Sequence, residues 1–304
     1  MSNPVETAIE RGDEPVRVFI GSDENQKLAQ EVLASSLRRN ASLRVDVRSL
    51  ENVTTPEPAR EELRTRTGFT FRRFRIPELC GWSGRAIYLD ADMLVFDDIA
   101  DVWRAAMPPG VSVLFTAQDT ERARRAQFAV MLLDCAALDW KIEAIVDGLN
   151  EGRWSYEELV YELALIPLAA KAPGLSTRWN ALDRYVEGTT ALVHYTAMPM
   201  QPWIYPYHPL RDLWYDALRT ALAEGDIDAA LIEEEIAKGH VSPQLPRWAK
   251  LDIDVPPSAA RGWLPPYLKR ITQMRSDPMW RMTCAVRART VWAPWFRRIV
   301  TKLP

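Results

Sequence analysis

Two aspartates stand one residue apart inside an apolar run, AIYLDADMLVF at residues 86–96. Unpaired carboxylates are costly to bury, so Asp90 and Asp92 suit the point where a buried strand emerges into a cleft and both share a cation. Residues two apart on a strand point to the same side. With a turn between them, one carboxylate binds a metal directly and the other holds it through a second contact or a metal-bound water. An isolated D-x-D equally describes an ordinary strand exit with solvated aspartates, so the surrounding elements have to decide.

The run Ala86–Leu89 is short, apolar and preceded by the turn-prone Gly81 to Gly84, which predicts a buried strand ending at the aspartates. Residues 16–20 (VRVFI) predict a first strand, followed by the turn Gly21-Ser22-Asp23-Glu24-Asn25. A helix then carries Leu28, Val32, Leu33 and Leu37 on one face, and alternation at Leu43, Val45 and Val47 predicts a second strand. Pro56 and Pro58 mark a loop. Further strands are expected at 111–116, 128–133 and 191–195, and helices near 98–106, 138–149, 155–165, 209–223 and 227–238. Strands alternating with helices imply an α/β fold with an open, mostly parallel sheet, whose ligands bind beyond the carboxyl ends of the strands. Asp23 and Asp90 both fall at such ends.

The composition fits a soluble globular protein. The chain has 304 residues, 47% hydrophobic and 26% charged, enough for a sizeable core. Cys80, Cys135 and Cys284 are odd in number and far apart, which argues against a disulfide framework or a zinc site and for a reducing compartment. No apolar run reaches membrane-spanning length and the N-terminus has no apolar signal core, so a cytoplasmic location or the cytoplasmic membrane face is expected. Net charge −3 conceals an asymmetry: residues 261–304 carry ten Lys or Arg against Asp277, or +9, and residues 1–260 carry −12.

Several segments, in order, resemble the family 8 glycosyltransferases, which include glycogenin and the lipopolysaccharide galactosyltransferases. They are VFIGSDENQ (18–26), FRRFRIPELCGWSGRAIYLDADMLVF (71–96), VMLLDC (130–135), RWN (178–180) and HYTAMPMQPW (194–203). The block of arginine, then PEL, then YLDAD is the most specific. The resemblance implies a Rossmann-like nucleotide-diphosphate-sugar transferase fold, with a single mostly parallel mixed sheet flanked by helices. It divides the chain into residues 1–15, a catalytic domain at 16–240, and a basic helical extension at 241–304. By position it implies a nucleotide pocket at Gly21, Ser22, Asp23 and Asn25, and Arg73 near the diphosphate and ribose. Asp90, Asp92 and His194 would be the metal ligands, with Ala91, Gln201 and Trp203 also on the donor. Two carboxylates, one imidazole and phosphate oxygens suit Mn²⁺, with Mg²⁺ the alternative.

The implied reaction is metal-dependent, retaining transfer of a hexose from a UDP-sugar of the glucose or galactose class to a glycan or lipid-linked acceptor. Four features depart from the family pattern. Gln201 stands where the family has a lysine on the diphosphate, and the spacing from His194 to Trp203 is one residue longer. Gln127-Phe128-Ala129 replaces N-A-G near the sugar. The family's D-Q-D finds its counterpart in Tyr156-Glu157-Glu158, where either glutamate could stabilise an oxocarbenium-like state or simply serve the helix dipole. Gln127, Glu157 and Glu158 are thus the catalytic candidates. The departures keep open a nucleotide-sugar-binding, catalytically altered protein at the membrane. Haloacid-dehalogenase-like phosphatases also place D-x-D after an apolar strand, but Leu94 fills the position where they require Thr or similar.

In residues 261–304, Val291, Trp292, Trp295, Phe296, Ile299, Val300 and Leu303 form a helical stripe with Arg297, Arg298 and Lys302 off it. Such a face suits a membrane surface or packing on the catalytic domain. Nucleic acid is not an expected partner, because the body is acidic and carries no recognisable binding module.

Overall fold

The computed structural model describes residues 14–59, 63, 69–117, 128–260 and 263–265. Strand β1 (Val16–Gly21) leads through a 3-10 turn at Glu24–Gln26 into helix α1 (Lys27–Asn40) and strand β2 (Val45–Ser49). Single helical turns α2 (Phe69–Arg72) and α3 (Ile76–Leu79) flank a 3-10 turn at Arg73–Arg75, and Pro77 sits in the first turn of α3, where its missing N–H costs nothing. Then come β3 (Arg85–Asp90), β4 (Met93–Val95), α4 (Ala100–Trp103), β5 (Val113–Thr116), β6 (Val130–Asp134), α5 (Ile142–Asn150) and α6 (Tyr156–Tyr161). Strands β7 (Lys171–Leu175), β8 (Ala181–Leu182) and β9 (Leu192–His194) precede α7 (Arg211–Glu224), α8 (Ala229–Lys238) and α9 (Leu245–Ala249).

The main sheet runs β2-β1-β3-β6-β5-β7. It is mostly parallel: β6 alone among these six strands runs against its neighbours β3 and β5. A small sheet, β4-β9-β8, hangs from the carboxyl end of β3. The expected α/β architecture with a Rossmann-like β1-α1-β2 opening is the one observed.

Alternation along the strands sorts the core into two layers. Val16, Val18, Ile20, Ile87 and Leu89 pack with Leu33 and Leu37 of α1 on one face. Phe19, Ala86, Tyr88, Met131 and Leu133 pack on the other with Phe71, Phe74, Trp140 and the buried stripe of α5. A third cluster joins the opposite stripe of α1, Leu28 and Val32, to α7, α8 and α9. Val241, Leu245 and Ala249 belong to that cluster, so the chain continues across residue 240 without a break in packing.

Two helices are shorter than periodicity predicts. The one expected at 98–106 is reduced to α4, and Pro108-Pro109-Gly110 follows it closely. The one expected at 155–165 stops at Tyr161, because Leu163 adopts a left-handed φ of 45°. No helix among the described residues is long and apolar enough to cross a membrane. The amphipathic stripe expected in the tail lies outside the described residues.

Candidate functional site

The main-chain path explains the D-A-D spacing. Ile87, Leu89 and Ala91 face the α1 layer and are buried, so Asp90 and Asp92 are turned the other way. Three hydrogen bonds pin the backbone here. Asp90 N–H donates to Ala129 O at 3.2 Å, Ala91 N–H to Gly21 O at 2.9 Å, and Tyr195 N–H to Asp92 O at 2.8 Å. The last ties the loop after β3 to the end of β9, which carries His194. Pairing of Met93 with His194 in the small sheet fixes the same register.

Asp90 and Asp92 are therefore brought together with His194, which comes 102 positions after Asp92, each offering a ligand atom within 4.8 Å of the others. His194 Nε2 lies 3.1 Å from Asp92 Oδ1 and 4.0 Å from Asp90 Oδ2. The carboxylate side chains keep 15% and 13% of their surface and the imidazole 4%, so the cluster opens to solvent on its acidic side.

The second layer of contacts fits a cation. His194 Nδ1 donates to Asn180 Oδ1 at 2.9 Å, and the same amide donates through Nδ2 to Thr116 Oγ1 at 3.3 Å. That arrangement places the ring proton on Nδ1 and directs Nε2 at the carboxylates, as in most imidazole metal ligands. Tyr88, two residues before Asp90 on the same strand face, donates its hydroxyl to Asp90 Oδ1 at 2.6 Å. Gln201 Nε2 donates to Asp92 Oδ2 at 3.0 Å and to Tyr195 O at 3.0 Å. Arg73 is 4% exposed, lies 4.9 Å from the Tyr88 ring centroid, and donates to Thr70 O and Phe128 O at 3.0 and 3.4 Å.

Burial raises the Asp90 pKa above the ordinary carboxylate range, and the charges of Arg73 and His194 only partly offset it. Burial also opposes charge on His194, but Asp92 and Asp90 beside it leave its pKa raised. The Tyr88 hydroxyl is pushed well up by burial and keeps its proton. The metal-free cluster thus holds more protons than exposed groups would. A divalent ion bound here would replace those protons, and a two-carboxylate, one-imidazole donor set suits a transition metal.

The remaining expected positions distribute as follows. Gly21 lies opposite Asp90 in the β1–β3 register, and a β-carbon there would meet the Tyr88 hydroxyl at 2.3 Å. Ser22 is buried, while Asp23 and Asn25 are half-buried at the exit of β1. Trp203 is buried against Tyr195 and Trp214, with ring centroids 6.4 and 5.2 Å away. Glu157 and Glu158 are exposed in the first turn of α6. Glu158 closes a capping box there, accepting from Ser155 N–H at 2.8 Å while Ser155 Oγ accepts from Glu158 N–H at 3.1 Å. Gln127 lies outside the described residues. Phe128 has φ 50° and stacks on Phe115 at 4.8 Å.

Sequence reasoning assigned no role to Tyr88 or Asn180. Tyr88 was detectable from its i, i+2 relation to Asp90, and Asn180 sits in the RWN segment already matched to the family.

No protein-family model matches the chain. Protein CDI of Arabidopsis thaliana is 29% identical over 93 residues, which cover 29% of this chain and 36% of that protein. The apo-form glycosyltransferase GlyE of Streptococcus pneumoniae TIGR4 superposes with a TM-score of 0.50 at 16% identity, over 70% of this chain and 64% of GlyE. A second GlyE crystal structure gives 0.50 at 17% identity, over 71% and 66%. The chain therefore spans about a third of the curated relative and just under two thirds of GlyE. At these identities the likeness concerns the fold: a mixed, mostly parallel sheet flanked by helices, shared with a glycosyltransferase.

Proposed function

We propose that this chain is a metal-dependent, retaining glycosyltransferase that moves a hexose from a UDP-sugar of the glucose or galactose class to a glycan or lipid-linked acceptor. The observation that carries this reading is the convergence of Asp90, Asp92 and His194 at the carboxyl end of β3, with Asn180 orienting the imidazole. In a sheet of this kind that end is where a nucleotide ligand sits. Mn²⁺, with Mg²⁺ as the alternative, would be held by these three side chains and would supply charge stabilisation for the leaving diphosphate.

Gly21, Ser22, Asp23 and Asn25 line the uridine side of the cleft, and Arg73 packs over the Tyr88 ring behind it. The sugar C1–O bond to the diphosphate breaks, a C1–O bond to the acceptor hydroxyl forms, and the acceptor proton passes to the departing phosphate oxygen. Of the acids assigned near the sugar, Glu157 has the freer carboxylate, because Glu158 is bonded to Ser155. Gln127 is assigned to the sugar-facing rim. The basic, tryptophan-bearing residues 261–304 are assigned to the cytoplasmic membrane surface.

A second reading, a nucleotide-sugar-binding protein with altered catalysis, is favoured by Gln201. Its amide is engaged by Asp92 and Tyr195, at the place where family members put a lysine on the diphosphate. Calorimetric titration with UDP, in Mn²⁺ and in chelator, followed by a panel of UDP-sugars, separates the two. Metal-dependent UDP binding with release of UDP from one sugar donor supports the transferase. Binding without transfer or hydrolysis of any donor selects the second reading, and no UDP binding in either metal removes both.

A further inference from the structure

Gln201 removes a positive charge from the place where a diphosphate would lie, and Arg73 does not restore it. Arg73 is buried and committed to Thr70 O, Phe128 O and the face of Tyr88. Its neighbour Arg72 is different. The Arg72 side chain is half-buried, and its one hydrogen bond among the described residues runs from Nη1 to Ser22 O at 3.2 Å, with no carboxylate paired to it there. Ser22 follows Gly21, which lies opposite Asp90 in the sheet, so this guanidinium is tied to the segment that leaves β1 beside the Asp90 strand.

Arg72 also lines a cavity of about 510 Å³, within the range that accommodates a small ligand, together with Phe71 and residues 51–58. Its other polar lining is Glu51, Asn52, Thr54, Thr55 and Glu57: hydroxyls, an amide and carboxylates. Lys27 lies 3.7 Å from Glu51. The carboxylates accept from a neutral, hydroxyl-bearing group and repel phosphate, while the hydroxyls both donate and accept. Among the described residues Arg72 is the one cation in the lining, and its guanidinium is bonded to Ser22 O just after β1.

We infer that Arg72 is the diphosphate contact of this chain, taking over the charge that Gln201 lacks. The inference rests on the nucleotide-sugar reading above. A guanidinium forks onto phosphate oxygens with two parallel hydrogen bonds, which a lysine cannot reproduce.

The test compares wild type, Arg72→Gln and Arg72→Lys in Mn²⁺, measuring UDP by calorimetry and uridine at millimolar concentration by ligand-observed NMR. Arg72→Gln is expected to weaken UDP about 10- to 100-fold and Arg72→Lys by less, with uridine binding unchanged, as fits loss of a charge-assisted hydrogen bond. Unchanged thermal unfolding confirms that the variants fold. Equal UDP affinity in wild type and Arg72→Gln overturns the inference while leaving the donor reading standing. An equal loss for uridine and UDP also overturns it, since the side chain would then shape the pocket rather than hold phosphate. Wild type that binds no UDP with either metal overturns the donor reading itself, and this inference with it.

Discussion

The end of β9 separates two aspartate–histidine clusters built from the same residue types and finished differently. In one, Asp183 accepts from Thr196 N–H at 3.0 Å, Thr196 Oγ1 at 2.6 Å and His208 Nε2 at 3.2 Å, while His208 Nδ1 accepts from Leu210 N–H at 3.0 Å. Both imidazole nitrogens and both carboxylate oxygens are engaged. In the other, Tyr88 and Gln201 satisfy one oxygen of each carboxylate, and the remaining oxygens of Asp90 and Asp92 both face His194 Nε2. A single proton cannot serve two oxygens. The titration directions agree: burial works against the charge of Asp183, yet the bonds from His208 and Thr196 leave its pKa lowered, whereas Asp90 ends raised. A carboxylate supplied with all its donors locks a loop, and a pair left short of donors makes a candidate cation site.

The two clusters touch, since Asp183 N–H donates to His194 O at 3.0 Å. Their division of labour is therefore open to direct attack. The largest effect is expected from Asp92→Asn, which keeps the shape and removes a ligand charge. Metal-dependent UDP binding and sugar transfer should fall about 1000-fold, equivalent to about 4 kcal/mol, with unfolding in chelator little changed. Retained metal-dependent binding would dissolve the distinction between the clusters.

Asp183→Asn should do the reverse, lowering stability by about 2 kcal/mol at pH 7 in urea unfolding while Mn²⁺ affinity stays within about threefold. The pH dependence has a definite sign. A lowered folded pKa contributes stability that is present above the unfolded carboxylate value of about 3.9 and is lost as pH falls through the folded value. The gap between wild type and variant should accordingly close below about pH 4. A gap independent of pH would mean that Asp183 acts through packing alone.

The smallest of the three belongs to Asn180→Ala, which leaves every ligand in place and frees the His194 ring. Mn²⁺ affinity should weaken about 10-fold, the low end for loss of a partner to a ligating imidazole. An Asn180→Ala protein with native affinity would show that the backbone of β9 alone orients His194.

Much of the frame was readable in one dimension. β1, α1 and β3 carry long enough apolar patterns to declare themselves, and β9 falls within the strand expected at 191–195, but its partners β4 and β8 were not separable, because strands of two or three residues hold no period. The antiparallel direction of β6 was equally hidden, since a fully buried strand reads the same in either sense. Asp90 and Asp92 stood out as candidate ligands by their spacing, whereas His194 joined them only through the resemblance carried by HYTAMPMQPW.

What the chain determined by itself was the chemistry available: two carboxylates at a strand exit, one histidine at the end of another apolar segment, and a glutamine in place of a lysine. Which of these carboxylates would be left short of donors was a tertiary outcome. It depended on Asn180 reaching His194 from the adjacent 3-10 turn, on Tyr88 reaching Asp90, and on Gln201 folding back onto Asp92. Hydrogen bonds are short and directional, so their partners are chosen by strand register and loop path, and sequence pattern encodes neither at that precision.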